Sequence, residues 1–278
     1  MKRIAKQISD NISSHYSAGE VAALARIIAT ELLGISDMAY YLKEDTTLTA
    51  EQRQLLDDAI ERLQKKEPIQ YILGYSDFCG LRFKVTTATL IPRPETSELV
   101  EWVASESKGG EQILDIGTGS GCIAISLAKK IRGSKVTAWD ISADALATAE
   151  ENSASNSADV VFEEVDILNC DTCGKKFDII VSNPPYIKEE EKKGMEANVL
   201  DWEPHTALFV PDSDPLLFYR AIAEKATDML TDGGKLYFEI NRMYGKEICS
   251  MLAGMGYTGI ELRKDFADND RMIKAILP

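Results

Sequence analysis

The spacing of apolar residues divides this chain of 278 residues into an N-terminal helical part and a longer part in which strands and helices alternate. In the first part, one apolar run at helical intervals ends at Gly34, and a second begins after Thr49, the predicted N-cap, and ends before Pro68. Proline stops a helix because it lacks the backbone N–H and clashes with the preceding turn. The pattern predicts a helical bundle over residues 1–75, with substrate recognition or support as its expected use.

Residues 76–91 differ from the bundle, because apolar and polar positions alternate around Gly80. This pattern is typical of a β-hairpin, and we expect it to link two domains.

In residues 92–278, apolar strand segments alternate with helix segments, which favours an α/β fold with a parallel, doubly wound sheet and helices on both faces. Ligands bind such sheets beyond the carboxyl ends of the strands, and the motifs described next all follow predicted strands.

A glycine-rich turn with the sequence DIGTGSG follows the first strand of this part and opens a helix. Its glycines allow a tight turn and the close approach of a ligand. Cys122 stands where a dinucleotide-binding GxGxxG motif needs its third glycine, so the spacing suits S-adenosylmethionine better than NAD. A tight turn without a ligand is the alternative. The candidate cofactor-binding residues of this turn are Asp115, Gly117, Thr118, Gly119, Ser120 and Gly121.

Acidic residues end the next two predicted strands. Asp140 ends the second strand, where a carboxylate can accept hydrogen bonds from both ribose hydroxyls of a nucleoside. Its alternative role is an N-cap for the following helix, which Ser142 can also fill. Asp166 ends the third strand and is expected to accept from an adenine amino group, with Ile167 packing on the ring, although a plain turn aspartate is the alternative. Asp140, Asp166 and Ile167 are therefore candidate cofactor-binding residues.

The segment Asn183-Pro184-Pro185-Tyr186, called NPPY below, ends the fourth predicted strand and is the candidate catalytic and substrate-binding segment. Proline has no N–H, so the segment offers acceptors without competing donors. The Asn183 side-chain oxygen and the Pro184 carbonyl can both accept from one planar NH2 group while Tyr186 packs against its plane. Accepting both N–H bonds raises the electron density of a poorly nucleophilic nitrogen as it attacks a methyl group. A rigid turn without a ligand is the alternative.

In this order, DIGTGSG, Asp140 and NPPY resemble a class I methyltransferase that modifies planar nitrogens. Four further segments narrow the resemblance, over nearly the whole chain, to the HemK-type release factor glutamine methyltransferases: PIQYILGYSDFCGLRFKV, TLIPRPETSELVEW, WEPHTALFV and KDFADNDRMIKAIL. The resemblance implies a helical N-terminal domain, a hairpin linker and a Rossmann-like catalytic domain.

The same resemblance implies an activity. It implies methylation of the glutamine side-chain nitrogen in the Gly-Gly-Gln tripeptide of bacterial peptide chain release factors, with S-adenosylmethionine as the methyl donor. In that case Asn183 to Tyr186 hold the glutamine amide. The residues from Gly117 to Gly121, together with Asp140 and Asn183, then contact the cofactor.

Arg93 and Glu95, in the segment IPRPET, are further candidate substrate-binding residues. We expect them to close the wall near the transferred methyl group and to order NPPY. A salt bridge between domains is the alternative, and exposed pairs of that kind contribute little to stability. Glu203 and Pro204 are expected to shape a loop of the active site or simply to pack.

Charge and composition narrow the range of partners that this protein is expected to bind. The formal net charge is −14, which disfavours a nucleic-acid substrate because phosphate contacts dominate such binding. A nucleic-acid amino-group methyltransferase is the alternative enzyme, and a cofactor-binding adaptor without catalysis is the alternative from another class.

The apolar runs are far shorter than the roughly 20 residues of a membrane span, and the N-terminus lacks the apolar core of a secretory signal. We expect a cytoplasmic monomer with no membrane partner and no stable nucleic-acid partner.

The five cysteines and two histidines predict no metal site. Cys170 and Cys173 form a lone CxxC, interpreted as a surface turn because a zinc site needs further ligands. An odd number of cysteines is typical of free thiols in a reducing compartment.

Overall fold

The structure is a computed structural model that describes residues 2–42, 47–171 and 174–278. It divides into a helical unit, Met1–Gly74 with Glu196–Trp202, and an α/β unit, Tyr75–Met195 with Glu203–Pro278. Cys173, half of the CxxC pair, lies outside the described residues. No helix within the described ranges is long and apolar enough to cross a membrane.

The helical unit is built from short amphipathic helices. Its elements are α1 (Lys2–Ile12), α2 (Ala18–Ile27), a π-helical turn (Ile28–Leu32), α3 (Asp37–Tyr41), α4 (Ala50–Gln64), α5 (Ile69–Leu73) and, later in the chain, α9 (Ala197–Leu200). The predicted N-cap is confirmed, because the Thr49 side chain accepts the Gln52 N–H and the Gln52 side chain accepts the Thr49 N–H. Ile8, Ile28 and Leu56 lie in the apolar core of this unit.

The α/β unit begins with a hairpin and continues with alternating elements. Up to its fourth sheet strand these are β1 (Tyr75–Phe78), β2 (Leu81–Lys84), α6 (Pro94–Ser105), β3 (Gln112–Ile116), α7 (Cys122–Lys130), β4 (Lys135–Asp140), α8 (Ala143–Ser155), β5 (Val160–Glu164) and β6 (Phe177–Ser182). The rest are β7 (Ile187–Lys188), a 3-10 turn (Glu189–Gly194), α10 (His205–Leu208), β8 (Phe209–Val210), α11 (Leu217–Met229), β9 (Leu230–Glu239), α12 (Gly245–Gly254), β10 (Thr258–Lys264) and β11 (Asp270–Ile276).

A seven-stranded sheet in the order β10-β11-β9-β6-β3-β4-β5 forms the centre of this unit. The predicted doubly wound α/β sheet is confirmed, and β3, β4, β5, β6 and β9 pair in parallel. The sheet is not parallel throughout, because β11 pairs antiparallel with both β10 and β9. The physical reason is the short connection from β10 to β11, because a parallel pair needs a crossover of about a dozen residues or more.

Alternating residues of the strands face two apolar layers. Leu114 and Ile180 lie in the layer that includes residues of α11 and α12, whereas Ile113 and Ile179 lie in the layer that includes residues of α6 and α7. At the end of β3, Ile116 pairs with Trp139 of β4 and with Ser182 of β6. The carboxyl ends of these three strands therefore lie at one level.

Candidate active site

A cavity of about 360 Å³ lies at the carboxyl ends of β3, β4 and β6, entirely within the α/β unit. Its volume is that of a pocket for a small molecule. Residues from the glycine turn, the strand ends and NPPY line it together: Gly117, Gly119, Asp140, Asp166, Ile167, Asn183, Pro184 and Pro185. Sequence positions up to about 70 apart thus meet in one place because parallel strands end at a common edge.

The glycine turn leaves room for a ligand. Gly117 and Gly119 have φ angles of +74° and +55°, a region that side chains rarely adopt. A Cβ built on either glycine meets no atom within 4 Å, so both backbones border open space. The N–H groups of Gly117 and Thr118 donate to the Trp139 carbonyl oxygen, at 2.8 and 3.0 Å, which fixes the turn against β4. The turn therefore forms a rigid cradle that a bulky cofactor can approach.

Asp115, Thr118 and Ser120 are buried and are not part of the cavity wall. Oδ2 of Asp115 accepts from the Thr118 hydroxyl at 2.6 Å and from the Ala124 N–H at 3.2 Å. Its Oδ1 is buried without a hydrogen-bond partner among the described residues, and burial raises the pKa of Asp115 to about 7. These residues shape the turn from behind, while Gly117 and Gly119 border the cavity.

Asp140 ties the turn to the start of α8. Its Oδ2 accepts the Gly119 N–H at 2.8 Å, and its Oδ1 accepts the Ser142 N–H at 2.9 Å. The N-cap of α8 is Ser142, whose hydroxyl accepts the Ala145 N–H, so the capping alternative for Asp140 is wrong. Burial raises the pKa of the Asp140 carboxyl group, against the opposing effect of its backbone donors.

Asp166 combines features of both interpretations made from the sequence. It lines the cavity, yet its carboxylate accepts from the Leu168 N–H at 2.9 Å and from the Asn169 amide at 2.7 Å, as a turn aspartate does. Ile167 is buried and lies beside it on the wall. An apolar surface suited to a ring system continues from there through Ile141, Ala145, Phe218 and Ile222.

Within NPPY, the first three residues line the cavity, and Tyr186 does not. The Asn183 amide is partly exposed and has no hydrogen-bond partner in the part of the chain that the structure describes. Just before it, the Ser182 hydroxyl donates to the Ile116 carbonyl oxygen at 2.7 Å and joins the ends of β6 and β3. The Asn183 side chain therefore keeps its hydrogen-bonding groups available at a fixed strand end.

Tyr186 is held at both of its polar ends. Its hydroxyl donates to Oε1 of the buried Glu239 at 3.3 Å, and its carbonyl oxygen accepts from the Asn241 amide at 3.2 Å. Burial, followed by the charge of Glu239, raises the pKa of the Tyr186 phenol well above its ordinary value. The phenol therefore stays protonated and acts as a hydrogen-bond donor.

Arg93 and Glu95 do not line the cavity. The Arg93 guanidinium donates to Oε1 of Glu203, which is 3% exposed, and the other oxygen of Glu203 accepts the Ile91 N–H at 3.2 Å. Both members of this ion pair belong to the α/β unit. The pair is therefore not the salt bridge between domains that was the alternative interpretation from the sequence. It fixes the chain just before the segment that contains Thr206.

Several wall residues carry no sequence signal for a binding site. Thr206, Ala207 and Phe209 line the cavity because the short strand β8 pairs in parallel with β7, directly after NPPY. Ala88 and Leu90 line it from the segment between β2 and α6. In the sequence, only the family resemblance of the segment WEPHTALFV pointed to Thr206, Ala207 and Phe209.

The strand order, the glycine cradle and the strand-end carboxylate together define a class I methyltransferase. Residues 95–200 match the family model described as the methyltransferase small domain. The crystal structure of a methyltransferase from Pyrococcus furiosus has the same fold, with a TM-score of 0.53 and 20% sequence identity, over 71% of this chain and 89% of that chain.

The matches over the full chain are more specific. Residues 5–74 match the family model described as the PrmC N-terminal domain. A release factor glutamine methyltransferase from Bacteroides thetaiotaomicron is 49% identical over 99% of both chains. Another from Flavobacterium psychrophilum is 45% identical over 99% of this chain and 98% of the relative. This chain belongs to the release factor glutamine methyltransferase family, and the resemblance stated from the sequence is confirmed.

Proposed function

We propose that this protein transfers a methyl group from S-adenosylmethionine to the side-chain amide nitrogen of the glutamine in the Gly-Gly-Gln tripeptide of peptide chain release factors. The observation that carries the proposal is the position of Asn183, which lies in the same cavity wall as Gly117 and Gly119 and whose amide has no hydrogen-bond partner among the described residues. Membership of the family supports the substrate, and the donor-free Pro184-Pro185 backbone supports an amide as the group that is held.

Two observations support S-adenosylmethionine as the ligand of the cavity. The Cβ positions of Gly117 and Gly119 face open space, and Asp140 presents a carboxylate on the wall. We assign the amino-acid tail to the glycine turn, the ribose hydroxyls to Asp140, and the adenine to Asp166 and Ile167. When bound, this cofactor supplies an electrophilic methyl group on a sulfonium ion.

The NPPY segment holds and activates the amide. The Asn183 Oδ1 and the Pro184 carbonyl oxygen each accept one N–H of the glutamine NH2 group, so its nitrogen is oriented and its electron density rises. Tyr186 supports the plane of the amide from the adjacent position. A strong base is not required before transfer, because the proton can leave the nitrogen afterwards.

The partner is a release factor, and we assign its recognition to the helical domain, residues 1–75, with residues 76–91 as a hairpin linker to the catalytic domain, residues 92–278. A cytoplasmic location follows from this role in translation. The acidic net charge of −14 suits a protein partner with a basic face.

Labelled methyl transfer tests the function. Purified protein is incubated with S-adenosylmethionine labelled in its methyl group and with either release factor or DNA. We expect label on the release factor only, and loss of that label when the tripeptide glutamine is replaced. Label on DNA instead would establish the nucleic-acid alternative and overturn the proposal.

The Asn183→Ala variant tests the clamp. We expect kcat to fall about a hundredfold or more, as when a positioned transition-state donor or acceptor is removed, with a much smaller change in the Kd for S-adenosylmethionine. The matched control is Asn198→Ala, because Asn198 is exposed and does not line the cavity. Turnover of Asn183→Ala equal to that of the control would show that the clamp mechanism is wrong.

A further inference from the structure

Glu239 ends β9 as a carboxylate that is only 1% exposed. Burying a carboxylate costs free energy unless hydrogen bonds and nearby charges compensate. Neither the cofactor assignment nor the amide clamp uses this residue. The groups that surround it therefore indicate what the buried charge does.

Two hydroxyl groups from different elements satisfy the two oxygens of Glu239. Thr96, in the first turn of α6, donates to Oε2 at 2.6 Å, and Tyr186 of NPPY donates to Oε1 at 3.3 Å. The carboxylate of Glu239 therefore connects the segment IPRPET, where Thr96 lies, with the end of NPPY. The short bond from Thr96 fixes the orientation of the carboxylate, and the second oxygen then faces the phenol.

The same strand end also contacts the main chain of Tyr186. The Asn241 amide donates to the Tyr186 carbonyl oxygen at 3.2 Å. The hydroxyl of Tyr219 joins Glu239 and Asn241, since it donates to the Glu239 carbonyl oxygen and accepts the Asn241 N–H, each at 3.3 Å. Fixing both the carbonyl and the phenolic oxygen of Tyr186 fixes the axis of the ring between them, because the hydroxyl oxygen lies on that axis and a change in χ1 would move it away from Glu239.

We propose that Glu239 is a positioning residue for methyl transfer and that it acts by fixing the ring of Tyr186 through the phenolic hydroxyl. This inference rests on the proposed function, in which that ring supports the plane of the substrate amide. Glu239 itself does not line the cavity that Asn183 and Pro184 border. A purely structural carboxylate would stabilise the fold and leave the turnover of each folded molecule unchanged.

Glu239→Gln is the direct kinetic test, because glutamine keeps the size of the side chain and replaces one acceptor oxygen by a donor. We expect kcat to fall about tenfold to a hundredfold, the range for a misplaced group near the reacting atoms. The Kd for S-adenosylmethionine should not change. An unchanged kcat would overturn the proposal.

Coupling to Tyr186 separates positioning from stability. Tyr186→Phe removes the donor of the same contact, so the double variant Glu239→Gln/Tyr186→Phe should be no slower than the slower single variant. If the two losses of kcat multiply instead, Glu239 does not act through the phenol and the proposal is wrong. Thermal unfolding of all three variants shows that the rates refer to folded protein.

A second readout does not depend on the substrate. The chain has ten tyrosines, and labelling with 3-fluorotyrosine gives each of them a fluorine resonance, from which Tyr186→Phe identifies that of Tyr186 as the missing one. We expect this resonance to shift in Glu239→Gln. The Tyr186 resonance should not shift in the matched control Glu106→Gln. In the wild-type protein the Glu106 carboxylate accepts from the hydroxyl of a different tyrosine, Tyr237 of β9, at 3.0 Å.

The outcomes of this measurement are distinct from those of the methylation assay. An unmoved Tyr186 resonance in Glu239→Gln overturns the positioning role whatever the substrate is. If the Tyr186 resonance shifts in Glu239→Gln while the wild-type protein does not label release factor, only the proposed function is overturned. If Glu239→Gln does not fold, Thr96→Val takes its place, because it frees one oxygen of the carboxylate and should also move the Tyr186 resonance. An unmoved resonance in Thr96→Val then overturns the proposal.

Discussion

Asp140 holds the glycine turn and also faces the cavity. Its two oxygens accept the N–H groups of Gly119 and Ser142, at 2.8 and 2.9 Å. Each carboxylate oxygen has a further lone pair, so the same group can also accept from the hydroxyls of a ribose. Because burial raises the pKa of Asp140, its carboxylate loses its charge at a higher pH than a solvated aspartate does.

We predict that Asp140→Asn weakens S-adenosylmethionine binding about tenfold to a hundredfold, since hydrogen bonds to a charged group contribute about 1.5–3 kcal/mol. Calorimetric titration measures the Kd, and wild-type affinity should decrease as the pH falls through the raised pKa of Asp140. The control Asp144→Asn removes the same charge from an exposed residue of α8 and should bind like wild type. Equal Kd values for Asp140→Asn and wild type would rule out the ribose contact.

At the scale of elements, two glycines of the turn between β3 and α7 have different surroundings. Gly119 has a φ of +55°, and a Cβ there would meet open space. Gly121 has a φ of +80°, and a Cβ there would lie 2.9 Å from Ile125 Cδ1 and 3.1 Å from Ala149 Cβ. The first glycine leaves room for a ligand, whereas the second allows α7 to pack against α8.

Alanine at these two glycines should therefore separate binding from folding. Both variants pay about 1–2 kcal/mol for a left-handed backbone, and Gly121→Ala adds about 1–3 kcal/mol from overpacking against α8. We expect Gly121→Ala to lower the free energy of unfolding more, in urea denaturation, and Gly119→Ala to weaken S-adenosylmethionine binding more, in calorimetry. The reverse order in either measurement would contradict the assignment of the cradle to Gly119.

The sequence predicts those parts of the site that follow from local pattern and strand polarity. Asp140 and Asn183 come together with Gly117 because they follow parallel strands, and parallel strands share one carboxyl edge. Thr206 reaches the same cavity through the pairing of two-residue strands, which no periodicity can indicate. Glu239 is a single glutamate at a strand end, and its partners Thr96 and Tyr186 are more than 50 residues away in the chain.

At the scale of the whole molecule, two carboxylates of the α/β unit respond oppositely to acid. Burial raises the pKa of Asp115 to about 7, so its protonation favours the folded state as the pH falls from about 7 towards its ordinary 3.8. Burial also acts to raise the pKa of Glu106, but hydrogen bonds lower it to about 2. The donors to Glu106 are Lys274, Trp102, Lys235 and Tyr237.

Glu106 and its four donors join the end of α6 to β9 and β11. The charge of the Glu106 carboxylate therefore affects the stability of the packing between these elements. Because the pKa of Glu106 is lower in the folded state, its contribution is complete above about pH 4.5, the ordinary value, and is lost as the pH falls towards about 2.

We expect Glu106→Gln to lower the free energy of unfolding at pH 7 by about 1 kcal/mol, a modest value because the cluster is partly exposed and screened by solvent. Urea denaturation at a series of pH values checks this, and the difference from wild type should shrink below pH 4.5 because the wild-type carboxylate is being neutralised there. The response of Asp115 is common to both proteins and cancels in the difference. A gap that stays constant down to the lowest measurable pH would mean that Glu106 stabilises the fold through its shape and not through its charge.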